Sequence, residues 1–140
     1  MSKIAVVYWS GTGNTEMMAN AVADGAREKG VEVDVLPAAV FQTSMMDEYD
    51  AIAFGCPSMG AEELEDSVFA PMFSDCESKL KGKKTALFGS YGWGDGEWMR
   101  NWEETCKNDG ADLACDFVIC SGTPDNDTIA ACKEMGAALV

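Results

Sequence analysis

The sequence of 140 residues contains no histidine, the side chain that proteins use most often as a metal ligand and as a general base near neutral pH. Its six cysteines form no C-x-x-C pair. Cys115 and Cys120 lie five residues apart on a strand pattern, which predicts that their side chains point to opposite faces. These absences argue against a shared metal site. We interpret the cysteines as buried structural thiols of a protein in the reduced cytoplasm.

Basic residues are also scarce, because 10 lysines and arginines face 24 aspartates and glutamates, and the formal net charge is −14. Such a charge disfavours binding to nucleic acid or to an anionic membrane. It favours transient contacts with basic protein partners, at rates that fall as the salt concentration rises. An acidic surface that serves only solubility is the alternative interpretation.

Long apolar runs are missing as well, so the sequence predicts no membrane-spanning segment. The start, residues 1–4, leads into a short strand pattern rather than into a signal sequence. No linker, repeat or low-complexity segment divides the chain. We therefore predict one domain over residues 1–140, long enough to bury roughly two-thirds of its extended surface.

Strand and helix patterns alternate along the whole chain. Five short apolar strands are predicted at residues 4–9, 31–36, 51–55, 85–89 and 113–119. Four helical stripes are predicted, of which the first three end at Gly30, Gly82 and Gly110, while residues 37–48 form a short or irregular helix. This alternation predicts an α/β protein with a doubly wound parallel sheet. Ligands of such sheets lie beyond the carboxyl ends of the strands.

The loop after the first strand is built from small neutral residues and opens a helix. The first backbone N–H groups of a helix have no partner inside it, which makes such a loop an anion site. The loop lacks the lysine of a P-loop and the third glycine of a dinucleotide fingerprint. It therefore suits one compact phosphate monoester, although a merely capped turn is the alternative. The candidate residues are Ser10, Gly11, Thr12, Gly13, Asn14 and Thr15.

The loop after the fourth strand places a tryptophan between two glycines. An aromatic ring so placed at the rim of a cleft reads as a stacking platform for a flat ligand. An indole folded over the edge of the sheet is the alternative. By contrast, Trp98 and Trp102 stand at helical spacing and are predicted core residues, and Trp9 is predicted to be structural. The candidate binding residues of this loop are Ser90, Tyr91, Gly92, Trp93 and Gly94.

The loop after the third strand holds Ser58, Met59, Gly60, Ala61 and Glu62. Met59 is a soft apolar group that suits the other face of a flat ring. Gly60 allows the following peptide bond to turn over at little cost, and Glu62 is a candidate acceptor for a ring N–H.

Four acids of this segment also read as the exposed acidic start of a helix. They are Glu62, Glu63, Glu65 and Asp66. We expect Glu62 to face the ligand and the others to face water. A phosphate site, a flat ring site and no nucleophile–base pair together describe a bound redox cofactor, with no catalytic residue.

Three motifs carry a resemblance to a known family. YWSGTGNTE at 8–16, CPSMG at 56–60 with EELE at 62–65, and FGSYGWGDGEWM at 88–99 resemble a flavodoxin of the short-chain, clostridial type. The resemblance covers the whole chain. It implies a flavodoxin-like three-layer sandwich whose five-stranded parallel sheet has the order 2-1-3-4-5, and FMN as a non-covalently bound cofactor.

The resemblance also implies a role for individual residues. Trp93 would stack on the outer face of the flavin ring and Met59 would lie on its inner face. Glu62 would accept from the flavin N3–H, and the carbonyl of Gly60 would turn toward N5–H on one-electron reduction. The loop at 121–123 would edge the ring. The FMN phosphate would be held by the backbone of residues 11–15 and by the side chains of Ser10, Thr12, Asn14 and Thr15.

Two positions depart from the pattern of close relatives. Ala61 stands where they carry an acid or a hydroxyl residue, and Pro57 stands where some carry a serine. Only the amide of Ala61 matters for the peptide turn, whereas Pro57 removes a possible phosphate donor.

The function implied is that of a low-potential one-electron carrier rather than an enzyme. It would cycle between the neutral semiquinone and the hydroquinone and pass electrons between redox enzymes. It would act as a monomer that docks transiently on redox proteins with basic patches. An FMN-dependent quinone or small-molecule reductase is the alternative, but Trp93 would obstruct its hydride donor. A signalling receiver domain would need acids where Trp9 and Gly55 stand.

Overall fold

The computed structural model describes residues 3–140. Met1 and Ser2, which belong to the predicted domain and to its predicted start, lie outside the described residues. The strands are β1 (Lys3–Tyr8), β2 (Glu32–Pro37), β3 (Ala51–Gly55), β4 (Lys84–Tyr91), β5 (Asp112–Leu113) and β6 (Val118–Ser121). The helices are α1 (Asn14–Arg27), α2 (Phe69–Cys76), α3 (Glu97–Asn108) and α4 (Asn126–Ala138). Short 3₁₀ turns occupy Ala38–Val40, Thr43–Glu48 and Glu77–Lys79.

The strands form one parallel sheet in the order β2-β1-β3-β4-β5, with β6 also paired to β4. Val6 of β1, for example, pairs with Val35 of β2 on one side and with Ala53 of β3 on the other. All five residues of β3 are buried, as expected for a parallel strand that is covered on both faces. The predicted order of the five-stranded sheet is therefore confirmed.

The last predicted strand differs from the structure. Instead of one strand over 113–119, two short strands pair with β4 at different places, and residues 114–117 leave the ladder. Side-chain alternation is lost across this break, because a period of two holds only within a continuous strand. Cys115 and Cys120 consequently pack against the same buried cluster. The prediction that they face opposite sides of the sheet is wrong.

Helices cover both faces of the sheet and complete a three-layer sandwich. Aromatic residues dominate the core beneath α2 and α3, where Phe69 and Phe73 each meet Trp102 edge to face. Trp98 and Trp102 are buried, as predicted. Smaller side chains fill the core beneath α1 and α4, among them Ala19, Ala23 and Val22. None of the helices within residues 3–140 combines the length and the apolar composition that crossing a membrane requires.

The two helices on the small-residue side approach each other through glycines. A Cβ atom placed on Gly136 of α4 would overlap the carbonyl oxygen of Val22 in α1. A Cβ atom on Gly25 of α1 would likewise overlap the carbonyl oxygen of Lys133 in α4. The helix backbones lie in direct contact at these two positions, so a methyl group at either one requires the helices to separate.

We expect Gly136→Ala to lower the free energy of unfolding by about 1–3 kcal/mol because it overpacks this contact. Alanine by itself favours a helix over glycine by about 1 kcal/mol, so a loss of stability reports the overlap and not the helix propensity. Urea unfolding measures the change. Gly92→Ala is the control, because nothing lies within 4 Å of a Cβ atom there. A Gly136→Ala variant as stable as the control would contradict the direct contact of the helices.

Candidate functional site

The loops that follow β1, β3 and β4 meet at one edge of the sheet and enclose a cleft of about 230 Å³. No charged side chain lines this cleft. Trp9, Pro57 and Gly122 contribute to its walls together with residues predicted for the site. The predicted site residues along it are Gly11, Thr12, Asn14, Thr15, Ser58, Met59, Ser90, Tyr91 and Gly92.

Ser10 organises the first loop. Its Oγ accepts from the backbone N–H of Gly13 at 3.0 Å and from that of Glu16 at 3.3 Å. Gly13 has a φ of 97°, a left-handed conformation that glycine adopts without strain and that turns the chain into α1. Ser10 does not line the cleft itself, and its hydroxyl proton stays available for donation.

Several donors of the first loop have no acceptor within the protein. The backbone N–H groups of Gly11, Thr12 and Thr15 make no hydrogen bond within residues 3–140. These groups stand at the start of α1, where the helix dipole favours an anion. The donors are neutral and stand close together in sequence. They fit the phosphate monoester of FMN.

A buried pair of hydroxyl groups joins the loop after β1 (the first loop) to the loop after β4 (the third loop). Thr15 Oγ1 and Ser90 Oγ lie 2.9 Å apart, and both side chains are buried. Tyr91 packs its ring against Trp98 with 5.5 Å between ring centroids, and Trp98 donates from Nε1 to the carbonyl of Cys56 at 3.2 Å. The base of the third loop is therefore fixed on two sides.

Trp93, at the tip of the same loop, lies free. It is 63% exposed, more than any other large apolar side chain within residues 3–140. An indole folded over the sheet edge would be covered, so the structure argues against that alternative. The exposed ring stands beside the cleft rather than in its wall.

The loop after β3 (the second loop) contains a tight turn. Met59 and Glu63 exchange two backbone hydrogen bonds, of 2.8 and 2.9 Å, and so close the turn formed by residues 60–62. Gly60 has a φ of 53°, and nothing lies within 4 Å of a Cβ atom placed on it. The Gly60–Ala61 peptide bond is consequently at an open tip, while Met59 remains 38% exposed at the cleft.

Glu62 occupies a different place from its neighbours. It has a φ of 58°, and its side chain is 9% exposed. Its Oε1 accepts from the backbone N–H of Asp95 at 3.0 Å, and a Cβ atom on Gly94 would overlap that carboxylate. Glu62 therefore bridges the second and third loops. Its role toward a ring N–H stays a prediction.

Glu65 does not face water, and the prediction that it does is wrong. It is 5% exposed. Oε1 accepts from the backbone N–H groups of Val68 and Phe69, each at 2.8 Å, and Oε2 accepts from the N–H of Ser67 at 2.9 Å and from its hydroxyl. The carboxylate thus satisfies N–H groups at the start of α2 that the helix cannot pair.

The pKa of Glu65 reflects this arrangement. Burial acts to raise the pKa of its carboxyl group, but the hydrogen bonds from Ser67, Phe69 and Val68 outweigh it and lower the pKa to about 2. Elsewhere burial raises the pKa of Cys56, Cys106 and Cys132, each to about 12. These thiols stay protonated at neutral pH, in agreement with a structural role.

Two residues of the cleft, Trp9 and Pro57, are absent from the predicted site. Trp9, predicted to be structural, lines the cleft, and its ring lies against Gly11. Pro57 also lines the cleft. Gly122 belongs to the loop at 121–123 that is expected to edge the ring; it lines the cleft, and its N–H donates to the carbonyl of Tyr91 at 2.9 Å. The position of Trp9 at the carboxyl end of β1 was a signal that could have identified it.

Known proteins similar to the chain share this architecture. Residues 6–135 match the family model described as Flavodoxin. The chain is 46% identical over 138 residues to a flavodoxin of Megasphaera elsdenii, covering 96% of both proteins. It is 43% identical over 120 residues to a flavodoxin of Clostridium beijerinckii, covering 86% of this chain and 87% of that protein. The solution structure of two-electron reduced Megasphaera elsdenii flavodoxin matches with a TM-score of 0.89 over 97% of both chains.

The capping role of Glu65 predicts a specific dependence of stability on pH. Its folded pKa of about 2 lies below the ordinary value of 4.5, so its contribution is complete above pH 4.5 and is lost as the pH falls toward 2. We expect Glu65→Gln to lower the free energy of unfolding at pH 7 by about 1–3 kcal/mol, since the amide nitrogen cannot accept from Ser67. The loss of stability between these two pH values should also become smaller.

Urea unfolding at a series of pH values measures both effects. Glu63→Gln is the matched control, because the Glu63 side chain is exposed and only its backbone takes part in the turn. Equal stability of Glu65→Gln and Glu63→Gln across this range would contradict the cap.

Proposed function

Because the chain belongs to the flavodoxin family of small FMN-binding electron-transfer proteins, we propose that it is a low-potential one-electron carrier that cycles between the neutral semiquinone and the hydroquinone. The observation that carries the proposal is a cleft with no charged side chain in its wall, beside unpaired backbone donors and an exposed indole. FMN bound there supplies reversible one-electron chemistry, and the protein tunes it through the surrounding groups.

Neutral donors hold the phosphate in this proposal. The free backbone N–H groups of Gly11, Thr12 and Thr15 point to that role, and the side chains of Ser10, Thr12 and Asn14 stand beside them. No lysine or arginine lies in the loop. The phosphate is bound through hydrogen bonds and the helix dipole, and its negative charge keeps no fixed cation beside it.

Met59 and Trp93 would cover the two faces of a bound flavin ring. Both side chains are exposed in the structure, and both stand on loops that flank the cleft. Their apolar surfaces exclude water from the ring, which disfavours an anionic form of the bound group.

The turn at Gly60 responds to the redox state. The two hydrogen bonds between Met59 and Glu63 close the turn without using the Gly60–Ala61 peptide bond. That peptide bond would be free to turn over with both of them intact, which would present the Gly60 carbonyl as an acceptor toward a bound flavin. Glu62, held in place by the backbone N–H of Asp95, would supply a second acceptor for a ring N–H.

The net negative charge of the protein lowers the one-electron reduction potential of the bound flavin. The formal net charge of −14 disfavours any further negative charge on the cofactor. A penalty of roughly 1.4 kcal/mol on the reduced anion lowers a one-electron potential by about 60 mV. The same charge supports transient docking of basic redox proteins. We further propose that the carrier is monomeric and cytoplasmic and passes electrons between redox enzymes.

Binding of FMN and the colour of its reduced states test the proposal. We expect the purified protein to be yellow and to turn blue, the colour of the neutral semiquinone, on partial reduction with dithionite. Visible spectroscopy during a redox titration follows both states. A protein that passes directly from oxidised to fully reduced flavin while it oxidises NADH with a quinone would favour the reductase instead. A colourless protein that takes up no FMN would contradict both the carrier and the reductase interpretation.

Substitution of Gly60 tests the turn. Alanine at a φ of 53° is strained, so Gly60→Ala should hinder the reorientation of the carbonyl. We expect the two one-electron potentials to move closer together by about 60 mV, the equivalent of roughly 1.4 kcal/mol. Gly82→Ala is the matched control, since Gly82 has a φ of 74°, equally open surroundings and a place before the start of β4, at the opposite end of that strand from its cleft loop. Unchanged potentials in Gly60→Ala would show that the turn does not act on the flavin.

A further inference from the structure

A second concavity, larger than the cofactor cleft, lies between α2 and α3. Its volume is about 400 Å³, against about 230 Å³ for the cleft. The aromatic rings of Phe73, Trp98 and Trp102 form part of its lining, and the carboxylates of Glu63, Asp66 and Glu77 also line it. We call this concavity the acidic groove.

We propose that the acidic groove receives a basic segment of the redox partner, with an apolar side chain of that segment between α2 and α3 and its lysine or arginine side chains against Glu63, Asp66 and Glu77. The assignment rests on the proposed carrier function and names the surface and the partner chemistry that this function requires.

The charges of the groove lack partners within the described part of the chain. No lysine or arginine lines it, and none of the salt bridges within residues 3–140 involves Glu63, Asp66 or Glu77. The basic residues of α3 are engaged elsewhere, since Arg100 pairs with Asp95 and Lys107 pairs with Glu103. The lining of the groove therefore supplies no cation of its own, and a basic partner would complement it.

Glu77 supports the same conclusion. Burial, together with a hydrogen bond to Asp109 and the charge of that residue, raises the pKa of Glu77 to about 7. Its carboxyl group therefore lacks a compensating cation at present. A lysine or arginine placed beside it would favour the charged form.

The apolar part of the groove has an unusual donor. Trp102 is 3% exposed, and its indole N–H is buried without a hydrogen-bond acceptor within residues 3–140. A buried donor without an acceptor is costly. A peptide segment brings apolar side chains next to cationic ones. It therefore matches the aromatic rings and the carboxylates of the groove better than a simple cation does.

The position of the groove suits electron transfer. Glu62 lines it, and the same side chain bridges the second and third cofactor loops through Asp95. A segment seated in the acidic groove therefore lies against the loops that flank the cofactor cleft. Docking at this place brings the partner against the loops that flank the cofactor cleft.

Nuclear magnetic resonance of the FMN-loaded, ¹⁵N-labelled protein tests the assignment. The probe is a short capped peptide of alternating lysine and leucine, added at low salt. We expect the chemical shift of the Trp102 indole N–H to change with peptide concentration until binding is saturated. The chemical shift of the Trp93 indole N–H should stay unchanged. Trp102→Phe identifies the signal. Peptides with glutamate instead of lysine, or serine instead of leucine, should leave the Trp102 signal unchanged.

Charge variants supply the second measurement. We expect the double variant Asp66→Asn/Glu77→Gln to bind the lysine–leucine peptide about fivefold more weakly. Glu104→Gln, an exposed position of α3 outside the groove, is the matched control and should bind as the unmodified protein does. The visible spectrum of each variant verifies that FMN remains bound.

Three outcomes would overturn the assignment. In the first, the peptide changes only the protein signals of residues around Trp93. In the second, the double variant and Glu104→Gln bind equally well. In the third, the Trp102 signal shifts with protein concentration alone, which would assign the groove to a second copy. With FMN bound and both reductions intact, each outcome removes the groove assignment and leaves the carrier function standing. Loss of FMN binding would instead remove the carrier function.

Discussion

Parallel pairing of three neighbouring strands is the constraint on which the rest of the structure depends. Tyr8 of β1 pairs with Gly55 of β3, and Gly55 pairs with Phe88 of β4. A Cβ atom at Gly55 would overlap the ring of Phe88, so the absence of a side chain keeps the strands in this register. The pairing continues where Trp9 donates to the carbonyl of Gly55 and Cys56 donates to that of Phe88. All three cofactor loops therefore start at the same height along the sheet, at its carboxyl edge. The local sequence of each loop then needs only to supply the binding groups.

The site combines strict positioning with an almost complete lack of charge. Backbone amides, hydroxyl groups and apolar rings surround the cleft, whereas the 24 acids of the chain leave its wall free. In the proposed carrier, a dipole fixed by the fold would bind phosphate without stabilising a reduced flavin as a lysine would. The acids would act through the long-range field and through the acidic groove. Binding and redox tuning would then fall to different groups of residues.

Much of this arrangement could be predicted because its signals are local. The phosphate loop is one continuous run of residues after an apolar strand, and Trp93 stands between two glycines. Each motif can therefore be recognised from neighbouring residues alone, without knowledge of the tertiary structure. The remaining features depend on contacts between distant segments. Glu65 caps a helix that starts later than its acidic run suggests, and Glu62 finds a partner in Asp95. The break between β5 and β6 is likewise invisible to an apolar pattern that continues across 113–119.

The direct contact of α1 with α4 has a consequence for how the molecule folds. Gly25 meets the backbone of Lys133 and Gly136 meets that of Val22, so each contact joins residues more than a hundred positions apart, with the central strands between them in sequence. Contacts between such distant residues close large loops, and a high proportion of them slows folding. The early helix α1 covers only part of this face, because Cys132, Met135 and Leu139 belong to the same buried cluster. The second core is therefore completed only when α4 docks against α1.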